Sequence, residues 1–457
     1  MNKKLLLAGI AGILSLATAC KKDDPTPSPN PPSGLTIDGV ASTLEFYQLD
    51  TAHLSVAGVA KDAAAKAVWA VNGAKAAEGA TFDFTTAHPG KYEVTLTVDG
   101  KSAKHTYTVA PRFSEGAFLL NEGNFDNETG SLTYIHPSKK LVIDQAYYHI
   151  NGTKLGNICQ DLAFGNDQVY IISQNGPKNG GEGLLTIARS NSLEKVKVYN
   201  DEALAQSTPT HIAVLRDHIY IRTERDGILR GPSEGGFTPI TGTKKALKQR
   251  MAQIGERLFA LTSDSKVLMI QGTQVVRELD LSPAKPSGIA VSHDGKLWVS
   301  TTSPNAILKV DPTPDNFVAL DTHILDKSIS ATGSQSWERT TSSAFFAHGD
   351  KLYFTGQSSV IYCHDFATSK TSQVIDVKTI DGVGTSANVY YNSLGVDPAT
   401  GELYYAAFED FSTYNKKNVT MVLKADGTKL LLKEKVNSFP AGFYFIPNAA
   451  SRTGANQ

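Results

Sequence analysis

The 457-residue sequence contains little cysteine and no long apolar segment. Its three cysteines, Cys20, Cys159 and Cys363, lie far apart, which excludes a disulfide-rich scaffold and any metal site built on paired cysteines. The apolar run from Leu5 to Leu16 is well short of the roughly 20 residues that a transmembrane helix requires. Forty-four basic and 45 acidic residues give a formal net charge of −1, so nucleic acid is not an expected partner.

The N-terminus has the pattern of an export signal. Lys3 and Lys4 precede the apolar run, and the small residues Ala17 to Ala19 come directly before Cys20. Residues 1–20 resemble the signal peptide and lipobox of bacterial lipoproteins. This resemblance implies lipidation of Cys20 and attachment to the outer membrane through the lipid. Ordinary signal-peptide cleavage is the alternative, because Ala17 stands where lipoboxes usually carry leucine.

Residues 21–34 have the composition of a linker. Their first part, Lys21-Lys22-Asp23-Asp24, resembles the charged tetrapeptide that directs lipoproteins of Bacteroidetes-type bacteria to the cell exterior; a merely solvated start is the alternative. The remainder, PTPSPNPPSG, alternates proline with small polar residues, which keeps a chain extended and unable to bury a core. We therefore expect a stalk that displays the following domains on the cell surface.

Residues 35–111 show short strands with alternating polar and apolar residues. The predicted strands are 67–71, 81–84, 92–98 and 106–109. This pattern is typical of a small β-sandwich. The apolar Trp69 strand, the Pro89-Gly90 turn and the closing YEVTLTV strand resemble the PKD type of immunoglobulin-like domain, which usually serves as a spacer.

From residue 115 onward, an aromatic residue flanked by apolar residues recurs just after a turn. The seven occurrences are Phe118, Tyr170, Tyr220, Phe259, Trp298, Tyr353 and Tyr404. Their spacings of 52, 50, 39, 39, 55 and 51 residues match the roughly 40 to 50 residues of a four-stranded propeller blade. The pattern predicts a seven-bladed β-propeller over 115–447, with a disordered tail at 448–457.

Every aromatic strand except the first is preceded by another apolar strand. The strand that the first blade lacks is supplied by Phe443 to Ile446 near the C-terminus. We therefore expect this strand to pair with blade 1 and close the ring, which removes an exposed sheet edge. The complete fold class is all-β, a small sandwich followed by a closed seven-bladed propeller.

The loops on one face of the predicted propeller are unequal in length. That face carries the loops that enter each innermost strand and those that join the second and third strands. The long ones are 145–159, 174–184, 322–343, 380–392 and 406–419. They contain aromatic residues that turns do not need, which are Tyr147, Tyr148, Trp337, Tyr390, Tyr391, Phe408, Phe411 and Tyr414.

These aromatic residues are candidate anchors for a flat or bulky ligand. Polar candidates that could orient such a ligand are Asn121, Gln174, Asn175, Arg222 and Arg225. The alternative is that the loops pack on one another and their aromatic residues form a local core.

Recognisable catalytic motifs are missing from the sequence. There is no G-x-S-x-G elbow, no HExxH, no CxxC and no histidine pair at i, i+4, so we predict a binding protein without a cofactor, metal site or catalytic residues. One enzymatic alternative stays open: a metal-dependent propeller lactonase or lyase, with Asn121, Glu122 and Asn124 among its site residues. An adhesin or glycan-binding scaffold is the other alternative.

The segment FLLNEGNFDNETGSLTYIHP (118–137) resembles the opening of a family of Bacteroidetes-type surface lipoproteins with YncE-like propellers. Its specific part is NEGN, which places Asn121, Glu122, Gly123 and Asn124 on the family motif. Gly123 could equally be required for a positive-φ bend. Some members, the BtuG-like proteins, cap a TonB-dependent transporter and capture vitamin B12. The resemblance implies a similar role here, with a corrinoid as the expected ligand and such a transporter as the expected partner.

Overall fold

The computed structural model describes residues 34–40, 45–232, 236–329, 343–356 and 358–447. These form two compact units, the first built mainly from Ala52–Phe84 and Tyr92–Tyr107 and the second from Thr108 onward. Cys20, the linker, Trp337 and the tail at 448–457 lie outside the described residues. No helix in the described ranges has the length and apolar character needed to cross a membrane.

The segment before the propeller folds into two small sheets, which include the strands of the first unit. Its elements are β1 (Thr36–Asp38), β2 (Phe46–Tyr47), β3 (Thr51–Ala57), α1 (Lys61–Ala64), β4 (Val68–Val71), β5 (Ala74–Glu78), β6 (Thr81–Thr85), β7 (Gly90–Val98) and β8 (Lys101–Ala110). The strand orders are β1-β3-β6 and β2-β8-β7-β4-β5. Phe84 on the first sheet stacks on Tyr107 of the second with 4.7 Å between ring centres, so aromatic packing joins the two sheets.

The second unit contains seven four-stranded antiparallel sheets. Blade 1 includes β9 (Ala117–Asn121), β10 (Ser131–His136) and β11 (Leu141–Ile143), and blade 2 consists of β12 (Asn157–Gly165), β13 (Gln168–Gly176), β14 (Leu185–Arg189) and β15 (Lys195–Tyr199). Blade 3 consists of β16 (Pro209–Leu215), β17 (His218–Thr223), β18 (Gly227–Pro232) and β19 (Thr238–Pro239). Blade 4 consists of β20 (Ala252–Ile254), β21 (Arg257–Leu261), β22 (Lys266–Gln271) and β23 (Gln274–Asp280).

The remaining blades follow the same order. Blade 5 consists of β24 (Lys285–Val291), β25 (Leu297–Thr302), β26 (Ala306–Val310) and β27 (Ala319–Ile324), and blade 6 of β28 (Phe345–His348), β29 (Lys351–Phe354), β30 (Val360–Asp365) and β31 (Lys370–Asp376). Blade 7 consists of β32 (Val389–Val396), β33 (Leu403–Phe408), β34 (Asn418–Leu423) and β35 (Lys429–Glu434). The final strand, β36 (Pro440–Phe445), pairs with β9 and completes blade 1, as the sequence predicts.

The seven recurring aromatic residues occupy the second strand of the seven blades, and all are buried. Each of these residues packs against the next blade. Tyr170 shares a hydrophobic core cluster with Ile212 and Val214 of blade 3, and Tyr404 shares another with Leu119 of blade 1. Alanine or glycine lies opposite five of them on the innermost strands, such as Ala163 opposite Tyr170, whereas Phe118 and Tyr353 face Tyr444 and Phe346. The repeat thus reflects the taper of the blades, with little room near the axis and more room one strand further out.

Two short helices interrupt loops for which no helix is predicted. They are α2 (Ala146–Asn151), between blades 1 and 2, and α3 (Glu202–Ser207), between blades 2 and 3. Asp201 caps α3, since its carboxylate accepts a hydrogen bond of 2.9 Å from the Leu204 N–H. Single turns of 3₁₀ helix lie at Lys178–Gly180, Pro314–Asn316, Val377–Thr379 and Gly384–Ala387. Helices this short carry too little periodicity to be distinguished from loops in a sequence.

Candidate functional site

The top face, as we call it, carries the loops between second and third strands and those between consecutive blades. The antiparallel strand order of blade 1 places Asn121, Glu122 and Asn124 there, at the end of β9 and in the loop to β10. Gly123 has a φ of 76°, and a Cβ at this position would lie 2.2 Å from the Thr129 carbonyl oxygen. Only glycine fits this bend, so part of the NEGN motif serves the fold of the blade 1 loop.

The two asparagines of the motif use their side chains in local hydrogen bonds. Asn121 Nδ2 donates to Ser131 and Thr133, and its Oδ1 accepts from the Ser438 N–H at 3.1 Å. Asn124 Oδ1 accepts from the Asp126 N–H at 2.8 Å. Both amide oxygens, which the metal-dependent alternative requires as ligands, therefore already accept backbone hydrogen bonds.

Glu122 is a buried carboxyl group beside the innermost strand of blade 7. It is 5% exposed, and the Tyr391 hydroxyl donates to its Oε2 at 3.1 Å. Burial raises the pKa of Glu122 to about 7, although the charge of Lys248 and the Tyr391 hydrogen bond act in the opposite direction. The carboxyl group therefore changes its charge near neutral pH.

Five aromatic rings gather next to Glu122, and we call them the aromatic cluster. They are Tyr391, Phe408, Phe411, Tyr414 and Phe439, with neighbouring ring centres 4.1 to 6.4 Å apart. Phe408 is fully buried and Tyr414 nearly so, whereas Phe411 is 39% exposed. The buried rings form a local core, which is the alternative given for the aromatic residues of these segments. The exposed edge at Phe411 is accessible to a ligand, as the binding hypothesis requires.

Phe439 was not singled out from the sequence, yet it contacts every other ring of the cluster. Its φ of 51° lies in the left-handed region, which costs a residue other than glycine of the order of 1–3 kcal/mol. The Glu122 N–H holds this conformation by donating to the Phe439 carbonyl oxygen at 2.8 Å. The strained backbone places the ring in the centre of the cluster.

A cavity of about 300 Å³ opens on the top face beside the cluster, between loops of blades 1, 2 and 7. We call it the blade 1 cavity. Its lining exposes polar and apolar surface in nearly equal amounts and consists of Asn121, Asn127, Glu128, Thr129, Gly130, Ser131, Leu132, Asp144, Gln145, Tyr147, Tyr148, Lys154, Leu155, Asn415, Lys435, Asn437 and Ser438. Three candidates from the sequence therefore meet here, namely Asn121, Tyr147 and Tyr148.

The two tyrosines of α2 have different environments. Tyr147 is buried in the core between blades 1 and 2, and its hydroxyl donates to Glu182 Oε2 at 2.9 Å. Tyr148 is 43% exposed at the cavity. Glu128 links the cavity to the aromatic cluster, because its Oε2 accepts from Ser438 at 2.7 Å and its carboxylate is hydrogen-bonded to Tyr414.

The remaining candidates lie apart from this cavity. Arg222 is buried, and it donates to the Ala246 carbonyl oxygen and pairs with Glu224 at 3.0 Å. Arg225 is exposed, and Gln174 is half-buried. Asn175 donates to Asn157 Oδ1 at 2.7 Å. The Tyr390 hydroxyl accepts from the Leu394 N–H at 3.0 Å, and its ring stacks on Tyr405.

A charged group that the sequence analysis missed lies at the centre of the ring. Arg250 precedes β20 of blade 4, yet its guanidinium carbon lies 3.8 Å from the ring centre of Tyr444 in blade 1. Its Nε is 3.3 Å from Asp161 Oδ1 in blade 2, and the Tyr444 hydroxyl donates to the same oxygen at 2.7 Å. Burial raises the pKa of Asp161 to about 6. The Arg250 side chain thus reaches across the axis and joins opposite blades.

The contact between Arg250 and Asp161 could have been anticipated in part from the sequence. Asp161 is the charged residue in the innermost strand NICQDLAFG, and a buried charge requires a partner. Across the described ranges, no three histidine, cysteine, aspartate or glutamate side chains lie close enough together to share a metal ion.

Comparison with solved structures shows the same architecture elsewhere. A quinonprotein alcohol dehydrogenase-like protein from Bacteroides thetaiotaomicron matches with a TM-score of 0.57 and 15% identity, over 90% of this chain and 98% of that one. A protein from Lactobacillus plantarum matches with a TM-score of 0.46 and 14% identity, over 72% and 99% of the two chains. At 15% identity, the first of these matches shows a likeness of fold alone.

A third similar structure is a catalytically inactive virginiamycin B lyase from Staphylococcus aureus with quinupristin, at a TM-score of 0.41 and 11% identity, over 60% of this chain and 83% of that one. No curated protein matches the sequence. A family model described as a domain of unknown function, DUF5074, matches residues 115–447, which is the propeller and more than half of the chain. The chain therefore belongs to the DUF5074 family.

Proposed function

We propose that this chain is a lipid-anchored surface protein that captures a ligand on the top face of its propeller and passes it to a TonB-dependent outer-membrane transporter. One observation carries the proposal. All three exposed aromatic side chains of the described residues, Phe125, Tyr148 and Phe411, lie on top-face loops of blades 1 and 7. Exposed rings on a rigid scaffold provide large contact areas at little entropic cost, which is typical of binding faces.

The surroundings of these rings suit binding without catalysis. Phe411 is held by the aromatic cluster, and Tyr148 is held by α2 at the blade 1 cavity, so neither ring must be ordered when a ligand arrives. Glu122 and Tyr391 supply a polar contact at the edge of the cluster. The strain at Phe439 supports the same conclusion, because strained residues concentrate at functional sites.

The resemblance to BtuG-like proteins makes a corrinoid the first ligand to test. A corrinoid is a broad, flat ring system with amide arms, and a cavity of about 300 Å³ lies at the lower limit for small-molecule pockets. Such a ligand would not enter the cavity as a whole. It would lie across the three exposed rings, with the cavity beneath its edge.

Isothermal titration of the full-length chain in detergent with cyanocobalamin tests this proposal, with haem and a ferric siderophore in parallel. We expect Phe411→Ala and Phe125→Ala each to weaken binding of the corrinoid by roughly tenfold, the equivalent of about 1.4 kcal/mol. Leu320→Ala is the matched control, because Leu320 is an equally exposed apolar residue on the outer strand of blade 5. Absence of heat with all three ligands would refute capture of such cofactors and favour glycan binding or adhesion.

A further inference from the structure

We infer that the blade 1 cavity binds a neutral, polyhydroxylated ring, that is, one or two units of a neutral sugar. The inference shares one premise with the proposed function, namely that the top face is the binding face. It names a second, smaller ligand for a part of that face which a corrinoid would not fill.

The charges in the cavity favour a neutral ligand. Its lining includes two carboxylates, Glu128 and Asp144, and two ammonium groups, Lys154 and Lys435. In the described part of the chain, none of the four takes part in an ion pair. Two charges of each sign in one small space leave no net field to attract an anion or a cation, and each can instead accept or donate hydrogen bonds to hydroxyl groups.

Asn437 forms a rigid part of the cavity wall. Its Nδ2 donates to the Val419 carbonyl oxygen and to Thr420 Oγ1, at 3.2 and 3.0 Å, which fixes the orientation of the amide. The residue is only 6% exposed. This part of the wall therefore does not have to be ordered when a ligand binds.

Tyr148 supplies an apolar surface at the same cavity. Its ring is exposed although the neighbouring Tyr147 is buried, so the helix does not require an aromatic residue at this position for packing. A sugar ring has apolar C–H faces and a rim of hydroxyl groups, and it matches an exposed ring beside amides, carboxylates and hydroxyls. The mixture of donors and acceptors in the lining fits hydroxyl groups, since each of these both donates and accepts.

Saturation-transfer NMR on the full-length chain in detergent tests the inference. The probes are maltose, cellobiose, lactose, mannose and N-acetylglucosamine, with glucuronate and glucosamine as charged counterparts. We expect saturation transfer to at least one neutral sugar and weaker transfer to the charged ones. Tyr148→Ala should weaken binding of the neutral sugar by roughly tenfold.

Leu320→Ala is the matched control, because Leu320 is also an exposed apolar residue but lies on the outer strand of blade 5 and does not line the cavity. It should leave sugar binding unchanged. Transfer to none of the neutral sugars, preferential binding of a charged sugar, or equal losses in the two variants would each overturn the inference. Corrinoid binding without sugar binding would refute this inference alone, whereas sugar binding without corrinoid binding would refute the corrinoid assignment alone.

Discussion

Glu122 predicts a pH dependence of stability that can be worked out from its environment. The pKa of this buried carboxyl group is about 7 in the folded protein and has the ordinary value of 4.5 when the chain unfolds. The folded state therefore keeps its proton over a range in which the unfolded state has lost it. The resulting stabilisation is complete below about pH 4.5, declines as the pH rises, and is lost above about pH 7.

The size of this effect follows from the shift in pKa. At about 1.4 kcal/mol per unit, the change from 4.5 to about 7 corresponds to about 3 kcal/mol of unfolding free energy. Glu122→Gln keeps the shape and the acceptor for Tyr391 but is always neutral. We expect the variant to match the wild type near pH 4.5 and to exceed its unfolding free energy by about 3 kcal/mol near pH 8.

Urea unfolding of both proteins, followed by tryptophan fluorescence across this pH range, measures the difference. Asp161 also has a raised pKa, but it is present in both proteins and cancels in the comparison. Asp126→Asn is the control, because Asp126 is an exposed carboxylate of the same loop and its substitution should have the same effect at both pH values. A difference between Glu122→Gln and the wild type that does not change with pH would show that the reasoning is wrong.

Two further predictions concern the ends of the chain. Removing residues 436–457 deletes β36 and with it Phe443, whose burial alone is worth about 3–5 kcal/mol. We therefore expect this variant to lose the cooperative thermal transition of the propeller in circular dichroism. A chain that ends at residue 447 is the control and should retain the transition. Cys20→Ala should move the protein from the membrane fraction to the soluble fraction of the cell and abolish labelling with radioactive palmitate; unchanged fractionation and labelling would contradict lipidation at this residue.

The blades were predictable because their signal is local and repeated. Each recurring aromatic residue lies on the second strand of its blade, and five of the seven, for example Tyr170, lie opposite alanine or glycine of the inner strand, so a similar physical requirement recurs around the ring. Strand β3 was not predicted, although it has seven residues, because only Leu54 in it is deeply buried. A strand with one buried residue leaves little periodicity in the sequence.

The candidate site was predictable in position but not in detail. Long loops indicated the top face of blades 7, 1 and 2, where the structure places Tyr391, Phe411 and Tyr148. The contribution of residues 437–439 could not be read from the sequence, because they approach Asn121 from 317 residues further along the chain. Burial separates the candidates further. Phe408 and Tyr148 both lie in segments that the sequence predicts as loops, but the structure places Phe408 at the buried end of β33 and Tyr148 on the exposed side of α2.

Ring closure also constrains the order in which the protein can be made. β9 is among the first strands of the propeller to be synthesised, yet the strand that flanks it on the inner side is the last. Until residues 440–445 are available, β9 has an open inner edge and the apolar side chains Phe118 and Leu120 lack part of their cover. Contacts of such long sequence separation form slowly, and exposed strand edges promote aggregation. A nascent chain therefore exposes the inner edge of its first blade until its last strand is available.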